Sequence, residues 1–137
     1  MKVVFALVIL AATTAQLAVA APALPPGNAQ RGAAVFKQCA ACHTIGPNAS
    51  NSVGPVLTGI FDRHAATYQG YLYSSAMKKS GIVWNAANLA KFLRAPRKLV
   101  PGTKMGFVGL QHDQDIADVI AYLKSFPAAN GNSTAQK

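Results

Sequence analysis

Residues 39 to 43 read Cys-Ala-Ala-Cys-His and hold both cysteines of the chain and one of its three histidines. This cluster constrains the fold more than any other stretch. Two thiols three positions apart cannot staple distant parts of a small domain. A bond between them would close a very short loop and remove little freedom from the unfolded chain. The cluster can instead serve dithiol redox exchange, contribute to a metal site, or anchor a large group.

The amino terminus sets the compartment in which that choice is made. One positive charge at Lys2, the apolar run Val3 to Leu10 and the small residues Ala18 and Ala20 have the order of a secretory signal peptide, expected to be cleaved after Ala20. An uncleaved anchor is the alternative, because residues 3–20 approach a membrane-spanning length; Thr13, Thr14 and Gln16 weigh against it. Removing the first 20 of 137 residues leaves 117, enough for one domain, 21–137. A domain of that size buries a modest share of its surface, so a bulky apolar group at its centre would add needed stabilisation.

Charge is one-sided. Asp62, Asp113, Asp115 and Asp118 are the only acidic residues, and loss of Lys2 leaves 12 Lys and Arg, a net charge of +8. That field attracts acidic partners and speeds encounter with them. An exported chain rarely meets nucleic acid, so acidic protein surfaces are the expected partners, with transient contact at a membrane surface beside them.

Residues 21–28 are rich in Pro and Gly and read as a linker. Asn28 caps a short helix running to the cysteines, Ser74 or Ser75 starts another that stops at Gly81, and Asn85 caps a third, with Leu89, Phe92 and Leu93 on one face and Pro96 as its stop. Residues 44–58 and 97–111 are Gly/Pro loops. Asp113 is the expected cap of the last helix, in which Ile116, Val119, Ile120 and Leu123 recur at i, i+3, i+4 and i+7. Asp115 and Asp118 in its early turns and Lys124 in its last suit the helix dipole. Pro127 ends it, and 128–137 reads as a loose tail. No run alternates as a strand would. The expected class is all-α, three to four short helices with long loops, and loops of that length imply function or a core supplied by a ligand.

The choice for the cysteine cluster now narrows. A thioredoxin-like dithiol opens a helix within a strand–helix–strand unit, whereas Cys39 follows a helix here. A zinc site needs four ligands, and His64 and His112 stand isolated, read as surface residues. Cys-x-x-Cys-His is the attachment signal for c-type haem. Two thiols one turn apart can each add to a haem vinyl group, and His43 then emerges where its imidazole can bond the iron. Once Met1 is lost, the sulfur candidates for the opposite face are Met77, placed in a helix and better suited to core packing, and Met105, in the stiff turn after Pro101-Gly102. Spacing leaves Lys104 and His112 as competitors.

Six ordered stretches, V-F-K-Q-C-A-A-C-H, G-P-V-L-T-G-I-F-D-R, the Tyr71/Tyr73 region, Trp84, P-G-T-K-M-G-F and D-I-A-D-V-I-A-Y-L-K, resemble a class I cytochrome c over residues 28–126. The resemblance implies one covalently attached haem c, with Cys39 and Cys42 as thioethers and His43 and Met105 as axial ligands. It implies that the Pro55 carbonyl holds the other imidazole nitrogen, and that Arg63, Tyr73, Trp84 and Thr103 surround the haem propionates. Gly32, Phe36, Val119 and Tyr122 match the crossing of the first and last helices. Asp62 stands where the family commonly has glycine, Phe92 where tyrosine is frequent, and Met77 where a polar residue is frequent.

The implied function is a diffusible one-electron carrier of the periplasm, a monomer and not an enzyme. Lys37, Arg97, Lys98 and Lys104 would ring the exposed haem edge. The implied partners are acidic patches on a quinol–cytochrome c oxidoreductase, a cytochrome oxidase or a periplasmic dehydrogenase. The alternatives are a membrane-tethered electron-transfer subunit and a ligand-sensing or peroxidatic haem protein.

Overall fold

The computed structural model describes residues 23–128. The expected signal peptide, the start of the linker and the tail beyond Ala128 lie outside the described residues. No helix among the described residues is long and apolar enough to cross a membrane.

Five helical segments are present among these residues: α1 (Ala29–Phe36), α2 (Ser75–Lys79), α3 (Ala86–Arg94), α4 (Pro96–Leu99) and α5 (Asp113–Lys124). Three begin where a short polar side chain replaces a missing backbone partner. Asn28, Ser74 and Asn85 sit in extended conformation and accept from the N–H groups of Arg31, Met77 and Asn88.

Two helix boundaries differ from expectation. Pro96 stops α3 and also opens α4, because a proline that cannot continue a helix is well suited to the first position of the next. The stretch expected as loop from Arg97 is therefore helical to Leu99. Asp113 does not cap α5. His112 holds the cap position without a side-chain bond, and the Asp113 carboxylate pairs with Arg94 instead.

α1 and α5 cross at a point set by Gly32, where a Cβ would lie 2.0 Å from the Asp118 carbonyl oxygen and 2.8 Å from Tyr122 Cβ. Only a residue without a side chain permits that approach. Phe36 and Tyr122 flank the crossing with ring centroids 5.2 Å apart, and Val119 is fully buried. The same crossing corrects the expectation for Asp118. Its carboxylate serves the start of α1 rather than that of α5, accepting from the Asn28 N–H at 2.6 Å, Arg31 Nε at 2.7 Å and Nη2 at 3.0 Å, and Gln114 Nε2 at 2.9 Å. The Arg31 guanidinium, with the Asn28 and Gln114 donors, holds its pKa down at about 2 against the opposing effect of burial. Residues 26–27 are no free linker either: Gln114 donates to the Pro26 carbonyl, and Gly27 is pressed against Ala117.

α3 packs beside α5, and the buried side chains Leu89, Phe92, Leu93, Ile116, Ile120 and Leu123 meet Trp84 and Met77 in one apolar cluster. Among the described residues, strand pairing is confined to an isolated bridge between His64 and Val83. Trp84 N–H donates to Arg63 O and Asp62 N–H to Trp84 O, each at 3.0 Å, which sets Arg63 beside Trp84. Asp62 and Ala66, on either side of this bridge, hold φ of +59° and +63°. Side chains beyond glycine rarely adopt that region, Asp more readily than Ala.

Candidate functional site

The site grows from the end of α1. The chain continues from Phe36 through tight turns, with Cys42 N–H and His43 N–H both donating to the Cys39 carbonyl at 3.0 and 2.9 Å. That single turn brings Cys39, half-buried, and Cys42, exposed, to one rim. Burial, with the neighbouring Cys42 thiol, pushes the Cys39 thiol above its ordinary pKa.

The His43 ring is fixed from behind. Its Nδ1–H donates to the Pro55 carbonyl at 2.7 Å, leaving Nε2 as the other nitrogen. A Cβ on Gly54 would lie 2.4 Å from the ring, so glycine there is what gives the imidazole its space. Burial lowers the His43 pKa, more than the Pro55 bond raises it, and favours the neutral ring with a lone pair available.

Opposite this segment runs the turn 100–105. Thr103 N–H donates to the Val100 carbonyl, and the Thr103 hydroxyl accepts from the Met105 N–H at 3.2 Å. Lys104 Nζ reaches across to the Leu72 carbonyl at 2.8 Å and ties this turn to residues 71–73.

Between these segments lies a cavity of about 460 Å³. That volume is in the range of small-molecule sites, about 300–1,000 Å³. Cys39, Cys42, His43, Pro55, Arg63, Tyr73, Trp84, Thr103 and Met105 all line it, together with the apolar faces of Phe36, Met77, Phe92 and Leu123. Arg63 donates to the Val56 carbonyl at 2.8 Å and the Thr58 carbonyl at 3.2 Å and lies over the Tyr68 ring. Its guanidinium is thus committed to the loop rather than paired with the adjacent Asp62, and burial depresses its pKa against the opposing pull of Tyr73 and Tyr68. A cation in such a place favours an anionic ligand group. Tyr73 packs edge-on against Tyr71, and Trp84 lies 5.0 Å from Phe92 between ring centroids.

Of the four cations expected at the rim, Lys104 lines this cavity. Arg97 and Lys98 line an adjoining cleft with Phe107 and Val108, and Lys37 is exposed after α1. His64 is exposed, as expected, yet also borders the main cavity. Gly54 escaped the sequence reading, although a glycine directly before Pro55 was the available signal.

The donor set fits a haem c. Two adjacent thiols can attach it, an imidazole and a thioether can face its iron, a half-buried arginine suits a propionate, and the apolar walls suit a porphyrin.

Comparisons with known proteins agree. The Cytochrome c family model matches residues 29–127. Cytochrome c2 of Blastochloris viridis is 46% identical over 127 residues, 93% of this chain and 94% of that relative. Cytochrome c of Cannabis sativa is 45% identical over 105 residues, 76% of this chain and 95% of its own length. Among solved structures, cytochrome cH from Methylobacterium extorquens superposes with a TM-score of 0.69 at 43% identity, covering 72% of this chain and 99% of that one. The chain belongs to the cytochrome c family, electron-transfer proteins with one covalently bound haem c.

Proposed function

We propose that this protein is a diffusible one-electron carrier of the periplasm in which Cys39 and Cys42 form the thioethers and His43 and Met105 are the axial ligands. The observation that carries this reading is the single cavity lined by both thiols, the imidazole and the Met105 turn. Haem c supplies a one-electron couple when bound. The Pro55 carbonyl fixes the imidazole tautomer and orientation, which also raises the ring's basicity as a ligand. The Thr103 hydroxyl and the Lys104–Leu72 bond hold the turn that carries Met105. Arg63, Tyr73 and Trp84 would hold the propionates, and the apolar lining would exclude water from the iron. Lys37, Arg97, Lys98 and Lys104 form the basic rim that steers acidic patches of an oxidoreductase or oxidase towards the opening.

The test is optical. The ferric holoprotein is expected to show a sulfur-to-iron absorption band that resists added ligand and disappears in Met105→Ala. A band that survives Met105→Ala, or none in the parent protein, overturns the ligand assignment. N-terminal sequencing of the periplasmic fraction is expected to begin at Ala21; a start at Met1 favours a tethered subunit.

A further inference from the structure

The Pro55 carbonyl that accepts from His43 Nδ1–H belongs to the same peptide unit as the Val56 N–H. Both ends of that unit are bonded. His43 holds the carbonyl at 2.7 Å, and the N–H donates to Asn51 Oδ1 at 3.2 Å. Val56 is buried, at 1% exposure, and its own carbonyl accepts from Arg63 Nη2 at 2.8 Å. The turn that brings Asn51 back towards Val56 is closed by Ser52 N–H donating to the Gly54 carbonyl at 3.0 Å. The other end of the Asn51 amide donates to the Gln69 carbonyl at 2.9 Å. One partner is an N–H and the other a carbonyl, which fixes the orientation of the amide. Asn51 does not line the cavity, so it meets the site only through the Pro55–Val56 peptide.

We propose that Asn51 is a positioning residue that tunes His43 as a ligand by polarising the Pro55–Val56 peptide. The proposal rests on the assignment of His43 as an axial ligand and adds what sets its donor strength. Amide resonance couples the N–H and the carbonyl oxygen of one peptide unit. An acceptor on the N–H therefore leaves more negative charge on the Pro55 oxygen, and bonds linked in this way strengthen one another by about 10–30%. The stronger acceptor draws on the Nδ1 proton, makes Nε2 more basic and favours the ferric state. A side chain that merely clamps the loops would act with the opposite sign. Its loss would let water reach the site and stabilise the ferric charge, whereas loss of polarisation destabilises it.

The test uses the holoprotein, with redox titration, thermal melting and proton NMR of the ferrous state. Asn51→Ala and Asn51→Asp both lose the bond to the Gln69 carbonyl, but only aspartate keeps an acceptor for the Val56 N–H. Both are expected to melt below the parent. Asn51→Ala is expected to shift the ferric–ferrous equilibrium about threefold towards ferrous, a rise of ~28 mV at 59 mV per tenfold for one electron, and to move the His43 Nδ1–H resonance upfield. Asn51→Asp is expected to lower the potential and move that resonance downfield. A potential in Asn51→Ala equal to or below the parent's overturns the proposal and leaves Asn51 a loop clamp, with the carrier reading intact. Should Asn51→Ala fail to fold, an unmoved or upfield resonance in Asn51→Asp overturns it alone. Absence of ring-current-shifted His43 protons in the ferrous parent removes the ligand assignment, and the proposal falls with it.

Discussion

Substituting Gly32→Ala tests whether the α1–α5 crossing is set by the absence of a side chain. The new Cβ would meet the Asp118 carbonyl oxygen at 2.0 Å and carbon at 2.6 Å, where ordinary contact begins near 3.4 Å. These are backbone atoms within a helix, so no side chain can rotate away, and the helices must part by about 1.4 Å, the difference between 3.4 and 2.0 Å. A radial gap of 0.5 to 1 Å forfeits roughly a quarter to a half of each dispersion contact. Phe36, Val119 and Tyr122 all lose packing together, placing the cost near the top of the overpacking range, about 3 kcal/mol. Alanine recovers about 1 kcal/mol of helix propensity over glycine. The net loss of ~2 kcal/mol corresponds to a fall in Tm of roughly 8–12 °C for a domain near this size. Thermal melting of the holoprotein, followed by far-UV circular dichroism, measures it. A Tm equal to or above that of the parent refutes the steric argument, because propensity alone would then decide the outcome.

Three further outcomes are expected. Phe92→Tyr places a hydroxyl in the apolar cavity wall beside Trp84, stabilises the ferric charge and lowers the reduction potential; a rise in redox titration contradicts this. The depressed carboxyl of Asp118 contributes stability that is complete above its unfolded pKa near 3.8 and is lost as pH falls towards about 2, so Asp118→Asn should be less stable at neutral pH and show a weaker acid dependence over that window in denaturant titrations. Ala66→Gly should gain roughly 0.5–1 kcal/mol, since φ of +63° strains alanine by about 1–2 kcal/mol and glycine recovers most of that despite its larger unfolded-state entropy; a lower midpoint in guanidinium would count against it.

Local signals carried most of the fold. Asn28, Ser74 and Asn85 were legible as caps because each acts on an N–H three positions away. The i, i+3, i+4, i+7 pattern gave α5 because burial on one face is a property of the helix itself. Proline was read only as a stop at position 96, although its fixed φ equally favours a helix start. The role of Asp118 at the start of α1 was not legible because Arg31 and Asn28 lie 87 and 90 positions away, a separation that dipole reasoning along one helix cannot reach. The strain at Ala66 left no trace, since alanine carries no sign of positive φ. In the site, the five-residue cluster announced a haem, and the resemblance supplied Pro55, Arg63 and Trp84 as candidates. Gly54 stood directly before Pro55 in the sequence, but how closely its backbone approaches the His43 ring depends on what the folded loops bring together.

The bond from the Asn28 amide to the Asp118 carboxylate joins residues 90 positions apart and lies near both ends of the described chain. A polypeptide emerging amino end first must therefore wait for almost its whole length before the two terminal helices can close on each other. Closing the α1–α5 crossing is therefore a contact of high sequence separation, the kind whose loop-closure cost slows folding.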